Sequence, residues 1–312
     1  MKSNLQLAEG ECNLQPATCR RQTNGECDLQ PATCNSPKAN LTAVVTGASS
    51  GIGREYARQL CEKGYEVVMV SNEDIPLREA AEEFAAKYGT RTYPVCMNLA
   101  VPDAAVRLHE FCRERGFTVD ILVNNAGVFY FEQVVDVPVD RVELMLTLHV
   151  TTPTMLCRLF GEDMKSRRRG YILNMSSASA WLPYPSISLY ASTKVFLRNF
   201  SRAFRLEMLD HGVSVTAVCP GAVATDLYNL PRHLQRLALR LGVMMTPRSL
   251  ARRGLRAMFR RRARVIPGIF NYFMIGTLKL VPLGVIRWAI REVDRRIKGK
   301  KNETRLGNSH GC

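Results

Sequence analysis

From residue 41 onward, short apolar runs alternate with stretches of helical periodicity, and few patterns leave a chain fewer ways to fold. LTAVVT (41–46), YEVVMVS (65–71), TYPVCMNL (92–99), DILVNN (120–125), GYILNMSS (170–177) and VSVTAVCP (213–220) read as six strands. ARVIP (263–267) reads as a weaker seventh. Between them, GIGREYARQLCEKG carries apolar residues at helical spacing and stops at Gly64, and helical patterns follow over Leu77–Lys87 and near 103–115. Strands this apolar need cover on both faces, which helical crossovers supply. The expected class is α/β: a doubly wound, Rossmann-like parallel sheet in a single domain over 40–268. A tail (1–39) precedes it, and a hydrophobic then basic extension (269–312) follows it as a lid or tail. In such a sheet, ligands bind beyond the carboxyl ends of the strands.

Directly after the first strand stands TGASSGIG, Thr46 to Gly53. Gly47 permits a sharp turn, Gly51 lets backbone approach a pyrophosphate, and Gly53 allows close packing of helix on strand. The helix that follows offers free N–H groups and a partial positive charge to phosphates. Glycine-rich turns are common, but a strand before, a helix after and the further strands strengthen the reading of this one as a phosphate-binding loop.

YASTK (190–194) places Tyr190 and Lys194 four apart, one above the other on a helix face, and Ser177 lies thirteen residues upstream in NMSSASA. A phenol, an ammonium and a hydroxyl together suit proton transfer to a carbonyl. An unperturbed tyrosine, with a pKa of about 10, is a poor acid–base at neutral pH, and a nearby cation lowers that value. Taken singly, each residue also has an ordinary structural use.

The Gly-x-x-x-Gly-x-Gly spacing of the loop, NNAG at 124–127, the Ser177/Tyr190/Lys194 spacing and PGAVATDL at 220–227 together resemble the short-chain dehydrogenase/reductase family over about residues 40–268. The resemblance implies that Ser177, Tyr190 and Lys194 are the catalytic set. It implies cofactor contacts from Gly47, Ser49, Ser50, Gly51, Ile52 and Gly53, then from Ser71, Asn72, Asn98 and Leu99. Asn125, Ala126 and Gly127 are expected beside the adenosine, with Tyr190, Lys194, Pro220, Gly221 and Thr225 near the nicotinamide and its ribose. No metal is implied. Many members carry an asparagine on the helix before the serine strand, in a proton relay. Aligning LTLHVTTPTMLCRLF puts His149 there, either as a proton carrier or as a satisfied core residue.

An acid at the end of the second strand would bind the ribose hydroxyls of NAD, and an arginine would favour NADP. Here VSNED places the neutral Ser71 and Asn72 at those positions. NADP is therefore the expected cofactor, with NAD the alternative, and Arg54 reads either as a partner for a 2′-phosphate or as a surface helix residue.

The chain carries a net charge of +15, unevenly placed: no acid occurs between Leu227 and Arg291, and eleven arginines fall between Arg232 and Arg264. Such a block suits an anionic partner, whether cofactor phosphate or lipid head group, or else forms a solvated helical face. Nucleic acid is not expected, since no reader motif accompanies the charge. LYNLPRHLQRLALRLGVMM and IFNYFMIGTLKLVPLGVIRWAI are apolar enough to cover a hydrophobic ketone, a keto lipid or a steroid-like pair. The SSASAWLPYPSISLYASTK region (176–194) and the tail after Gly268 are similar to the 17β-hydroxysteroid dehydrogenase and 3-ketoacyl or keto-sphingoid reductase branch, and the tail reads equally as ordinary lid and dimer core. No run of about 18 uncharged apolar residues suggests a membrane span. The start lacks the apolar core of a secretory signal, so the expectation is a cytoplasmic protein, peripheral at a membrane through its basic segment, and homo-oligomeric. The duplicated ECNLQPATC and ECDLQPATC (11–19 and 26–34) read as a polar, flexible tail, because six residues separate the cysteines of each pair. Two other functions fit the fold: a membrane-surface lipid-binding protein and a non-catalytic nucleotide sensor.

Overall fold

A computed structural model of the chain describes residues 41–181, 185–224 and 244–268, with four isolated positions between 236 and 284. The polar repeat, Thr225, most of the lid sequence and most of the extension from 269 lie outside the described residues.

Seven strands form one sheet in the order β3-β2-β1-β4-β5-β6-β7, all parallel. They are β1 (Thr42–Thr46), β2 (Glu66–Ser71), β3 (Thr92–Cys96), β4 (Val119–Asn124), β5 (Gly170–Met175), β6 (Val213–Val218) and β7 (Arg264–Val265). The expected seventh strand is thus present but only two residues long. Every residue of β1, β2, β4 and β6 is buried, the polar ones such as Glu66 and Asp120 included, as strands covered by helices on both faces require.

One layer holds α1 (Gly51–Cys61), α2 (Asp74–Tyr88) and the late helix α7 (Pro247–Phe259), packed through Tyr56, Leu60, Leu77, Phe84 and Leu250. The other holds α3 (Ala104–Glu114), α5 (Thr152–Ser166) and α6 (Ser188–Leu209), packed through Leu108, Leu156, Phe160 and Met208. Full burial of side chains of this size contributes about 1.5–3 kcal/mol each. No described helix is long and apolar enough to cross a membrane.

Two features of this frame position the site. Strand order reverses between β1 and β4, which opens a crevice beyond their carboxyl ends. On the far side of that crevice, α4 (Val139–Leu146) runs into α5 through one widened π turn, Thr147–Thr151. Pro153 has no N–H to give the carbonyl four residues back, that of His149, so the regular ladder is interrupted there. His149 lies inside this turn and is 1% exposed.

Candidate active site

The glycine loop takes its shape from backbone that only glycine accepts easily. Gly47 and Gly51 have φ of 65° and 55°. A Cβ on Gly53 would lie 1.9 Å from the Gly47 carbonyl oxygen, so this position holds the helix start against the turn. The loop is fastened from across the switch point. Thr46 Oγ1 donates to the Val123 carbonyl at 3.2 Å and accepts the N–H groups of Asn125 and Ala126 at 2.9 and 3.0 Å. Asn125 Nδ2 donates to the Thr46 carbonyl at 3.0 Å. Asn124 Nδ2 donates to Asn174 Oδ1 at 2.8 Å, which joins β4 to β5. NNAG is therefore a fastening between the central strands and the loop.

A groove of about 530 Å³ opens beyond these strand ends. Gly47, Ser49, Ser50, Gly51 and Ile52 line it from the loop, Ser71 and Asn72 from the end of β2, Asn98 and Leu99 after β3, and Asn125, Ala126 and Gly127 after β4. Gly53 packs beneath, and Pro220 and Gly221 follow β6, where the Pro220 carbonyl accepts the Ala178 N–H at 2.7 Å. This cradle fits a dinucleotide: the glycines clear the backbone for phosphates, and the groove runs outward past β2.

The cofactor end near β2 differs from the reading of its residues one by one. Glu73 also lines the groove and accepts the Ser49 hydroxyl at 2.7 Å. Ser71 Oγ in turn donates to Ser49 Oγ at 2.9 Å. A carboxylate thus stands one residue beyond the neutral pair. Arg54 is engaged elsewhere: it pairs with Glu83 and lies 5.5 Å from the centroid of Phe84. Asn98 turns its Oδ1 to the Ala100 N–H at 2.9 Å.

Across the crevice stands the α6 group. Tyr190 is half-buried near the start of the helix, and Lys194 lies one turn on, 5% exposed, with Nζ 5.4 Å from the Tyr190 ring centroid. Nζ donates to the Met175 carbonyl at 3.1 Å, which uses one of its three N–H donors. Burial pushes the Lys194 pKa down from 10.5 to about 8. The rings of Phe129 and His149 meet that of Tyr190 edge-on, at centroid distances of 5.0 and 5.7 Å. Ser177, two residues beyond the end of β5, accepts from the Ser179 N–H at 3.1 Å and from its hydroxyl at 3.0 Å. A hydroxyl has two acceptor positions and one donor, so Ser177 keeps its own O–H for another acceptor.

His149 is held at both nitrogens. Nε2 accepts the Val128 N–H at 2.9 Å, which places the proton on Nδ1, 3.0 Å from Thr193 Oγ1. Thr193 Oγ1 donates on to the Tyr190 carbonyl at 2.7 Å. Burial first, and then the charge of Lys194, hold the imidazole pKa well below 6.5, so the ring is neutral. Thr46, Glu73, Phe129 and Thr193 join the site without having been singled out from sequence. Thr46 and Glu73 lie inside TGASSGIG and VSNED, but their partners lie far along the chain.

The family model for short chain dehydrogenases matches residues 41–233. The chain belongs to the short-chain dehydrogenase family. Among curated relatives of this short-chain dehydrogenase, the very-long-chain 3-oxoacyl-CoA reductase-A of Danio rerio is 32% identical over 197 residues, 62% of this chain and 61% of the relative. The very-long-chain 3-oxoacyl-CoA reductase of Anas platyrhynchos is 33% identical over 204 residues, 63% of this chain and 64% of the relative. The matches therefore span less than two thirds of these relatives' own length. Among solved structures, a short-chain dehydrogenase from Sphingobium yanoikuyae in complex with NADPH superposes with a TM-score of 0.67 at 25% identity, covering 83% of this chain and 95% of that one. The bulky-bulky ketone specific alcohol dehydrogenase of Comamonas testosteroni gives 0.66 at 26% identity, covering 85% and 95%.

Proposed function

We propose that this short-chain dehydrogenase interconverts a ketone and a secondary alcohol on a hydrophobic, lipid-like substrate, with NADP as cofactor. The observation that carries the reading is Lys194 beneath the ring of Tyr190, buried and with its pKa near 8, across the crevice from the glycine cradle. The NADPH of the Sphingobium neighbour supports the cofactor, and the 3-oxoacyl-CoA and bulky-ketone relatives support the substrate class.

When bound, the nicotinamide cofactor supplies the hydride that reaches the carbonyl carbon. Tyr190 gives its phenolic proton to the carbonyl oxygen as the C–O double bond becomes a single bond. Ser177 donates its free O–H to that same oxygen and fixes it at the phenol. Lys194, when charged, favours the tyrosinate left behind, and solvent then restores the proton. His149 carries no proton in this scheme: with both nitrogens engaged, it acts as a positioning residue that sets the Val128 loop against α6.

The test is NADPH oxidation with 3-ketoacyl thioesters of increasing chain length, for wild type and Tyr190→Phe. The expected result is turnover that rises with chain length, and a variant slower by at least ~10²-fold with NADPH affinity nearly intact. Normal turnover in the variant would sink the assignment of Tyr190.

A further inference from the structure

The arginine-rich stretch before residue 264 has a use that the glycine cradle does not absorb. Helix α6 presents Arg198 and Arg202, four residues apart and so on one face. The segment entering β7 brings Arg262 and Arg264 beside them, and with Trp181 the four arginines line a pocket of about 650 Å³. The Arg198 and Arg264 guanidinium carbons lie 4.6 and 5.4 Å from the Trp181 ring centroid. One indole therefore holds two cations in place through its π face. Arg198 is further fixed by donating to the Ala180 carbonyl at 2.9 Å, which leaves most of its five N–H groups for another acceptor.

Among the described residues, no carboxylate is ion-paired with Arg198, Arg202, Arg262 or Arg264. Burial, and then the charges of Arg264 and Arg202, push the Arg198 pKa down from its ordinary value. Four cations drawn together against their own repulsion suit a compact anion that several planar donors can grip at once. A phosphate group, with its several acceptor oxygens and up to two charges, meets that description better than a single carboxylate. The concave shape suits a head group rather than the length of a duplex.

We propose that this pocket is a second anion site, which binds a phosphate-bearing ligand. It is separate from the glycine cradle: β1 and β7 are four strand spacings apart, ~19 Å at the usual interval. Arg264 pairs in register with Ala217, near the carboxyl end of β6, and Trp181 follows Ser177 by four residues. A bound phosphate therefore lies on the Ser177 side of the molecule. The phosphate can come from a soluble nucleotide-like ligand or from an anionic lipid head group.

The experiment uses the full-length protein saturated with NADPH, so that the cradle is occupied, and titrates pyrophosphate by calorimetry at low ionic strength. The comparison is R202Q/R262Q; both side chains are exposed, and neither donates a hydrogen bond among the described residues. Saturable binding is expected in wild type and at least about tenfold weaker binding in the variant, with NADPH affinity unchanged. Equal binding by both proteins, or no saturable binding by wild type, overturns the proposal. Because Arg264 also stacks on Trp181, R264Q serves as a second variant, with its melting temperature measured first. The source is read by competition. Adenosine 3′,5′-bisphosphate displacing pyrophosphate identifies a soluble ligand. Pyrophosphate-sensitive capture on phosphatidylcholine vesicles containing phosphatidic acid, and not on phosphatidylcholine alone, identifies a lipid head group. Failure of both phosphate sources also overturns the proposal.

Discussion

The imidazole of His149 accepts the backbone N–H of Val128 at 2.9 Å and meets Thr193 Oγ1 at 3.0 Å through its other nitrogen, which ties the loop after β4 to the helix that carries Tyr190. There is little slack in the tie, since a Cβ on Gly127 would lie 2.8 Å from the same nitrogen. His149→Ala leaves the Val128 amide and the Thr193 hydroxyl without this partner, at a cost of roughly 1–3 kcal/mol for a buried orphan. The variant is expected to melt earlier and to turn over roughly tenfold more slowly, the rate following positioning rather than proton transfer. The neutral ring also sets a pH dependence. Its folded pKa lies below the ordinary 6.5, so between those values unfolding takes up a proton. This contribution to stability is present above about pH 6.5 and is lost as pH falls. Urea denaturation at pH 7, 6 and 5 should show the loss in wild type and a smaller one in His149→Asn.

Lys194 gives the same sign of pH dependence in an alkaline window. In the unfolded chain the amine keeps its proton up to about 10.5, and in the folded protein only up to about 8. Between those values unfolding takes up one proton, so the Lys194 contribution to stability grows as pH rises, by up to about 1.4 kcal/mol per pH unit. Buried thiols such as Cys219, pushed up to about 11, act in the opposite direction, and the measurement must remove them. Denaturation of wild type and Lys194→Met, each in a Cys219→Ala background, at pH 8, 9 and 10 does so, because Cys219 is coupled to the amine and the remaining buried thiols cancel in the difference. A difference that stays flat across the window would place the amine in an ordinary solvated environment.

Glu73 is expected to tune cofactor choice. Its carboxylate accepts from Ser49 and lines the groove beside Asn72, where the adenosine ribose of a bound dinucleotide would lie. Removing its charge should favour a 2′-phosphate, so Glu73→Gln should raise the NADPH-to-NADH ratio of kcat/KM on the order of tenfold. Asn72→Asp should move the ratio the other way. If neither ratio changes, the ribose does not reach this end of the groove.

Removal of residues 1–38 should leave the melting temperature and turnover little changed. The polar repeat precedes the first strand and supplies no fold motif. Differential scanning calorimetry of the full and shortened proteins, with zinc analysis of the full chain, is the check. A large fall in melting temperature, or stoichiometric zinc, would show that the repeat is structural.

What the sequence by itself determined is whatever depends on neighbours a few residues apart. The strand and helix alternation, the turn at TGASSGIG and the one-turn spacing of Tyr190 and Lys194 are local, because side-chain periodicity and positive φ are properties of short stretches. The seven strands were all legible for that reason, including the two-residue β7. Only the tertiary structure decided who meets whom. Thr46 caps the amides of Asn125 and Ala126, about eighty residues away, and Glu73 takes the hydroxyl of Ser49 while Arg54 turns to Glu83. From the sequence His149 reads as a proton carrier or as a core residue, and only the fold supplies the partners of its two nitrogens, Val128 and Thr193. Likewise, Arg198 and Arg202 stand sixty or more residues from Arg262 and Arg264 in the chain, and the packing of α6 against the sheet edge brings them to one pocket. A hydrogen bond or a charge cluster is chosen by proximity after the layers close, and a residue's type records what it can bind, not what the fold will set beside it.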